Sequence, residues 1–173
     1  MMATITDTER TSLLKALADQ RGFLRYAVRG LDDDQATRRT TDSELTLAGL
    51  VKHVMQMEEN WIRFAQDGPP AEPVDYTDPA TWEKQDESFR LLDGETLEGT
   101  LARYDLVAAA TEEYVLSLPD LEGSHPLPEA PWFEPGAVWS VRDVLLHILR
   151  ETAQHCGHAD IIRESFDGQK TMG

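Results

Sequence analysis

The stretch RETAQHCGHADIIRES, from Arg150 to Ser165, places Glu151, His155 and His158 close together. All three side chains can bind a divalent metal, the histidines as neutral imidazole and the glutamate as carboxylate. Glu151 and His155 are spaced i, i+4, and His155 and His158 i, i+3, so each pair is adjacent on a helix. On a wheel of about 100° per residue with His147 at zero, His158 falls at about 20°, Glu151 at about 40° and His155 at about 80°. Val144 and Ile162 fall at about 60° and Ile148 at about 100°. The ligand-type residues therefore share the apolar face. Burying three ionisable groups there is costly unless they are paired or hold a cation. A second segment, LTLAGLVKHVMQMEENW, carries His53 on a flank shared with Leu50, Met57 and Phe64. If the two segments face each other, His53 comes towards His155 and His158, which is how helical bundles build metal sites.

Other reactive residues stand apart from this set. His147 lies one turn before Glu151 and reads as a partner of the ligands or as a core histidine. His125 reads as a loop residue. Cys156 falls at about 180° on the same wheel, away from the ligand face, and reads as a small buried hydrophobe. Gly49 and Gly157 each cost about 1 kcal/mol inside a helix relative to alanine, and close helix packing is the expected compensation. No phosphate-binding or dinucleotide motif is present.

Four segments of 3.6-residue period must position these groups. The first opens on Thr6-Asp7-Thr8-Glu9, a capping-box pattern, carries Leu14, Leu17, Leu24, Val28 and Leu31, and ends near Gly30. The second starts near Thr46 and carries Leu47, Leu50, Val51, Val54, Met57 and Trp61. The third starts near Thr96 and carries Leu97, Leu101, Tyr104, Val107, Ala108 and Val115. The fourth starts at Ser140, with Asp143 three residues on as a capping partner, and carries Val144, Ile148, Ile161 and Ile162. All 9 prolines fall in two windows between these segments. No strand pair or repeat is legible. The pattern predicts an all-α four-helix bundle in a single domain, residues 1–173. The link between the second and third helices spans about thirty residues, longer than the usual bundle loop. It can hold a short helix near ATWEKQDESF, and it is long enough to let those two helices run parallel.

The formal net charge of -16 argues against nucleic acid, whose phosphates need clustered Lys and Arg, and against an anionic membrane surface. The polar start MMATITDTER has no apolar core of a secretory signal, and no run is long enough to span a membrane. One cysteine leaves no intrachain disulfide and suits a reducing compartment. A cytoplasmic protein is expected.

SELTLAGLVKHVMQMEENW followed by VLLHILRETAQHCGHADIIRE resembles the DinB-like superfamily of metal-binding four-helix proteins, nearest to an actinobacterial branch related to mycothiol-dependent transferases and isomerases. The resemblance covers nearly the whole chain. It implies an up-down-down-up bundle with a long crossover between helices 2 and 3. It also implies a divalent metal, zinc or nickel, held by one helix 2 histidine and two helix 4 residues. The helix 2 ligand corresponds to His53. On helix 4 the chain offers Glu151-x3-His155 and, overlapping it, His155-x2-His158. His155 is common to both, and Glu151 and His158 remain alternatives for the third ligand, with the following HADII favouring His158.

The expectation is a metal centre of His53, His155 and His158, with Glu151 as general base or fourth ligand. Three protein ligands leave an open position on the metal, where a thiol would lose its proton and become a nucleophile. The resemblance implies a mycothiol-like thiol and a small-molecule substrate, used in S-transfer or isomerisation, and a homodimer is compatible with it. A metal-dependent hydrolase and a non-catalytic metal-binding bundle are the competing expectations. Trp132 and Trp139, in PWFEPGAVW, line the pocket mouth or cap the core.

Overall fold

A computed structural model describes residues 5–72 and 74–171. Four long helices carry the fold: α1 (Ile5–Ala27), α3 (Leu47–Asp67), α5 (Leu97–Ser117) and α6 (Val141–Asp167). Two short helices, α2 (Asp33–Ala36) and α4 (Pro79–Glu87), lie in the connections, and a two-stranded ribbon joins β1 (Ser124–Pro126) to β2 (Val138–Ser140).

Local chemistry sets the starts. Thr46 caps α3 by accepting from the Gly49 N–H, and Thr96 caps α5 by accepting from the Gly99 N–H. Ser140 and Asp143 form a reciprocal capping box at the start of α6, satisfying two otherwise unpaired donors. At α1 the expectation fails. The helix already runs through Thr6–Glu9, so that pattern lies inside it and not at its start; the side chains of Thr6 and Asp7 lie outside the described residues. The acidic DDD opens α2: Asp32 caps it in a reciprocal box with Gln35, and Asp33 and Asp34 begin the helix. α4 occupies the expected stretch, with Asp78 as cap and Pro79 opening the helix. The ribbon is a departure from the all-helical reading. Its strands are three residues each, paired antiparallel with His125 opposite Trp139, too short for an alternating pattern to show.

Cross-helix contacts fix the direction of each helix. α1 meets α6 through Glu9–Arg142, Gln20–Cys156 and Ala27–Arg163, rising together, so the two run parallel. α3 meets α5 through Glu59–Arg103, Glu58–Thr111 and Ala65–Tyr114, again parallel. α3 meets α6 through His53–His155 and Trp61–His147, antiparallel. The order is up-down-down-up, and residues 68–96 form the long crossover between α3 and α5.

The core divides into two apolar clusters. One gathers Leu24, Val51, Val54, Tyr104 and Ile162; the other gathers Leu17, Ile62, Val115, Leu145 and Ile148. Arg21, Glu58, Thr111 and Thr152, one from each long helix, are buried at chain positions between the two sets. Glu58 accepts from Arg21 Nε at 3.1 Å and from Thr111 Oγ1 at 2.7 Å. Such pairing satisfies a charge that burial would otherwise penalise heavily. Ile161 does not join the core: it is 62% exposed, and its neighbour Ile162 takes the inward position. Among the described residues no helix is long and apolar enough to cross a membrane.

Candidate metal centre

The antiparallel pairing of α3 and α6 brings His53 to His155. Their ring centroids are 4.9 Å apart and the planes meet edge to face at 73°. His158, one turn along α6, has its ring centroid 5.3 Å from that of His155. The Nδ1 atoms of His155 and His158 are 3.3 Å apart. His155 is 8% exposed, while His53 and His158 are half-buried.

Burial favours the uncharged form of His53 and of His155. It pushes His53 down to about 4, with the nearby His155 adding to the effect. His155 is also lowered by burial and by His158, against an opposing pull from Glu151. Uncharged imidazole is the form that binds metal.

The donor set fits a divalent cation. Two nitrogens bound tetrahedrally at about 2.05 Å from zinc stand about 3.3 Å apart, which is the His155–His158 separation. Imidazole rings arranged so have centroids about 5 Å apart, close to both ring pairs on His155. Among the described residues no group of three or more His, Cys, Asp or Glu side chains is already closed up as a ligand cluster. The two histidine pairs share His155, and bringing all three nitrogens to one point takes side-chain adjustment.

Glu151 sits four residues from both His147 and His155. Its side chain is 27% exposed, and its Oε1 lies 3.6 Å from Arg150 Nη2. Its charge raises the proton affinity of both histidines. His147 belongs to an aromatic cluster two turns from His155. It packs on Trp61 at 4.7 Å and Trp139 at 5.0 Å, and Arg150 donates to its Nδ1 at 2.7 Å. Cys156 faces α1, where its Sγ donates to the Gln20 carbonyl at 3.2 Å and burial pushes the thiol up to about 11. His125 packs edge-on against Phe64. Trp139 stacks on Trp61 at 4.8 Å, whereas Trp132 is 55% exposed and rests on Tyr76.

Two residues at this site have no signal in the sequence. Ser88 Oγ lies 3.0 Å from His53 Nδ1, and the Phe89 ring stacks on His53 at 3.8 Å and 16°. Both come from the crossover, whose path no periodicity reveals. Gly49 also takes a different role from the expected one. The backbone of Phe89, not a neighbouring helix, approaches it. Gly157 has no neighbour within 4 Å of where a Cβ would stand, so helix packing does not account for it.

A family model described as mycothiol-S-transferase matches residues 12–168. None of the curated proteins compared matches the chain. Solved structures share the fold at low identity. YfiT from Bacillus subtilis, described as a probable metal-dependent hydrolase with an unusual four-helix bundle topology, is 16% identical with a TM-score of 0.63, over 95% of this chain and 90% of that one. A conserved protein from Enterococcus faecalis is 11% identical with a TM-score of 0.65, over 97% of this chain and 100% of that one.

Proposed function

The chain belongs to the mycothiol-S-transferase family, and from that premise we propose that it is a divalent-metal-dependent enzyme which activates a low-molecular-weight thiol for S-transfer or isomerisation. The observation that carries this reading is the 3.3 Å separation of His155 Nδ1 and His158 Nδ1 beside His53. That spacing, with burial favouring the uncharged form of His53 and His155, suits a cation held by His53, His155 and His158. The metal would be zinc or nickel, and the substrates are a mycothiol-like thiol and a small electrophile.

When bound, such a cation acts as a Lewis acid that lowers the pKa of a thiol. Glu151 is the base in this reading. It lies one turn from His155 with part of its carboxylate open to solvent, where it can take the thiol proton and release it. The Trp61–Trp139 stack and Phe133 form an aromatic cluster two turns along α6, at His147. We take residues 1–173 as one cytoplasmic domain.

The test is metal content after purification, followed by turnover of a low-molecular-weight thiol with a generic electrophile. Wild type should carry a divalent ion and conjugate the two, and His53→Ala and His155→Ala should lose both properties. Full metal occupancy in both variants would remove the proposed centre. Metal binding with ester or amide hydrolysis and no thiol conjugation would favour a hydrolase, the activity ascribed to YfiT.

A further inference from the structure

Three residues of α3 clamp one stretch of the crossover. At Gly49 the Phe89 carbonyl comes in where any Cβ would collide with it. Lys52, 3% exposed, donates to the Arg90 carbonyl at 3.0 Å and to Glu95 Oε2 at 2.7 Å. His53 meets Ser88 through Nδ1 and Phe89 face to face. α4 buries none of its own side chains, so these anchors hold Ser88–Arg90 in place.

The proton positions follow from the partners. Ser88 has a single hydroxyl hydrogen. Its Oγ lies 2.6 Å from the Gln85 carbonyl oxygen, which can only accept, so the hydrogen lies there. Ser88 therefore offers His53 a lone pair, and His53 Nδ1 must be the donor. An uncharged His53 then keeps its free lone pair on Nε2. This is the reverse of the tautomer a histidine side chain favours in water, so the surrounding structure selects it.

We propose that Ser88 is a positioning residue for the metal centre: it fixes His53 as the Nδ1–H tautomer, with the ring held flat against Phe89, so that Nε2 is presented to a divalent cation. The inference rests on the ligand role proposed for His53. Ligand histidines characteristically donate their second N–H to an oxygen acceptor, and losing that acceptor costs about 10–100-fold in metal affinity. Here the acceptor comes from the crossover, so the long connection is part of the centre and not only a link between parallel helices.

Nitrogen-15 NMR of the metal-free wild-type protein should show His53 protonated on Nδ1. An Nε2–H tautomer overturns the proposal whether or not metal binds. Zinc affinity, measured by competition with a chromophoric chelator, should fall about 10–100-fold in Ser88→Ala and recover in Ser88→Thr, which keeps the hydroxyl. Metal-free Ser88→Ala should still melt cooperatively as a folded protein, so that its lost zinc affinity reads as lost positioning of His53. Unchanged zinc affinity in Ser88→Ala, alongside lost affinity in His53→Ala, overturns the role of Ser88 and leaves the metal centre standing. Unchanged affinity in His53→Ala overturns the centre itself, and the role of Ser88 with it.

Discussion

His155 Nδ1 faces His158 Nδ1 at 3.3 Å across one turn of α6, while Glu151 occupies the preceding turn. In the proposed reading His158 holds the metal and Glu151 takes the thiol proton. His158→Ala is expected to strip most of the bound metal from the purified protein, as read by elemental analysis. Glu151→Gln is expected to retain metal and to lower thiol conjugation about 10²–10⁴-fold, the range for loss of a general base. A Glu151→Gln protein that purified without metal would make Glu151 a ligand instead.

The buried ion pair makes a separate prediction about stability. Glu58→Ala leaves Arg21, 5% exposed, without its main partner and frees the Thr111 hydroxyl. The expected loss is about 3–5 kcal/mol, read from the denaturant midpoint. Removing both charges, as Arg21→Met with Glu58→Leu, should cost much less, because no uncompensated charge stays inside. Equal losses in the single and double variants would contradict this account.

Tyr104 predicts an alkaline limit. Burial pushes its phenol well above the ordinary value, and the Glu58 carboxylate adds to the shift. The folded state thus holds its proton more tightly than the unfolded chain, which titrates near 10.0. The stabilisation is complete below that pH and is lost as pH rises above it. Tyr104→Phe should flatten the fall in melting temperature above about pH 10. The Tyr104 hydroxyl lies close enough to Glu58 to feel its charge but makes no well-formed hydrogen bond among the described residues, so the same variant should cost little at neutral pH.

The two helix glycines should respond in opposite ways to alanine. Gly157→Ala adds a methyl group into open space and should stabilise by about 0.5–1 kcal/mol. Gly49→Ala should destabilise, by about 1–3 kcal/mol as for an overpacked core, because the Phe89 backbone must move away. It should also weaken zinc binding, since that movement carries Ser88 away from His53. Thermal melts with and without zinc check both expectations.

Much of the frame was legible because helical order is local. A period of 3.6 residues marks the inward faces, and Thr46, Thr96 and Ser140 cap their helices through neighbours three residues away. The same periodicity places Glu151, His155 and His158 on one face and Cys156 on another. The length of the crossover, together with the family resemblance, pointed to parallel α3 and α5. Tertiary structure alone decided what meets those faces. Glu58 looks like any surface glutamate until Arg21 and Thr111 arrive from other helices. Ser88 looks like a loop serine until the Phe89 backbone settles on Gly49. Both depend on contacts between residues distant in the chain. The sequence therefore determined the helices and most of their apolar inward faces, because helical order is local, and the packing of the crossover on α3 decided which atom of His53 is left free.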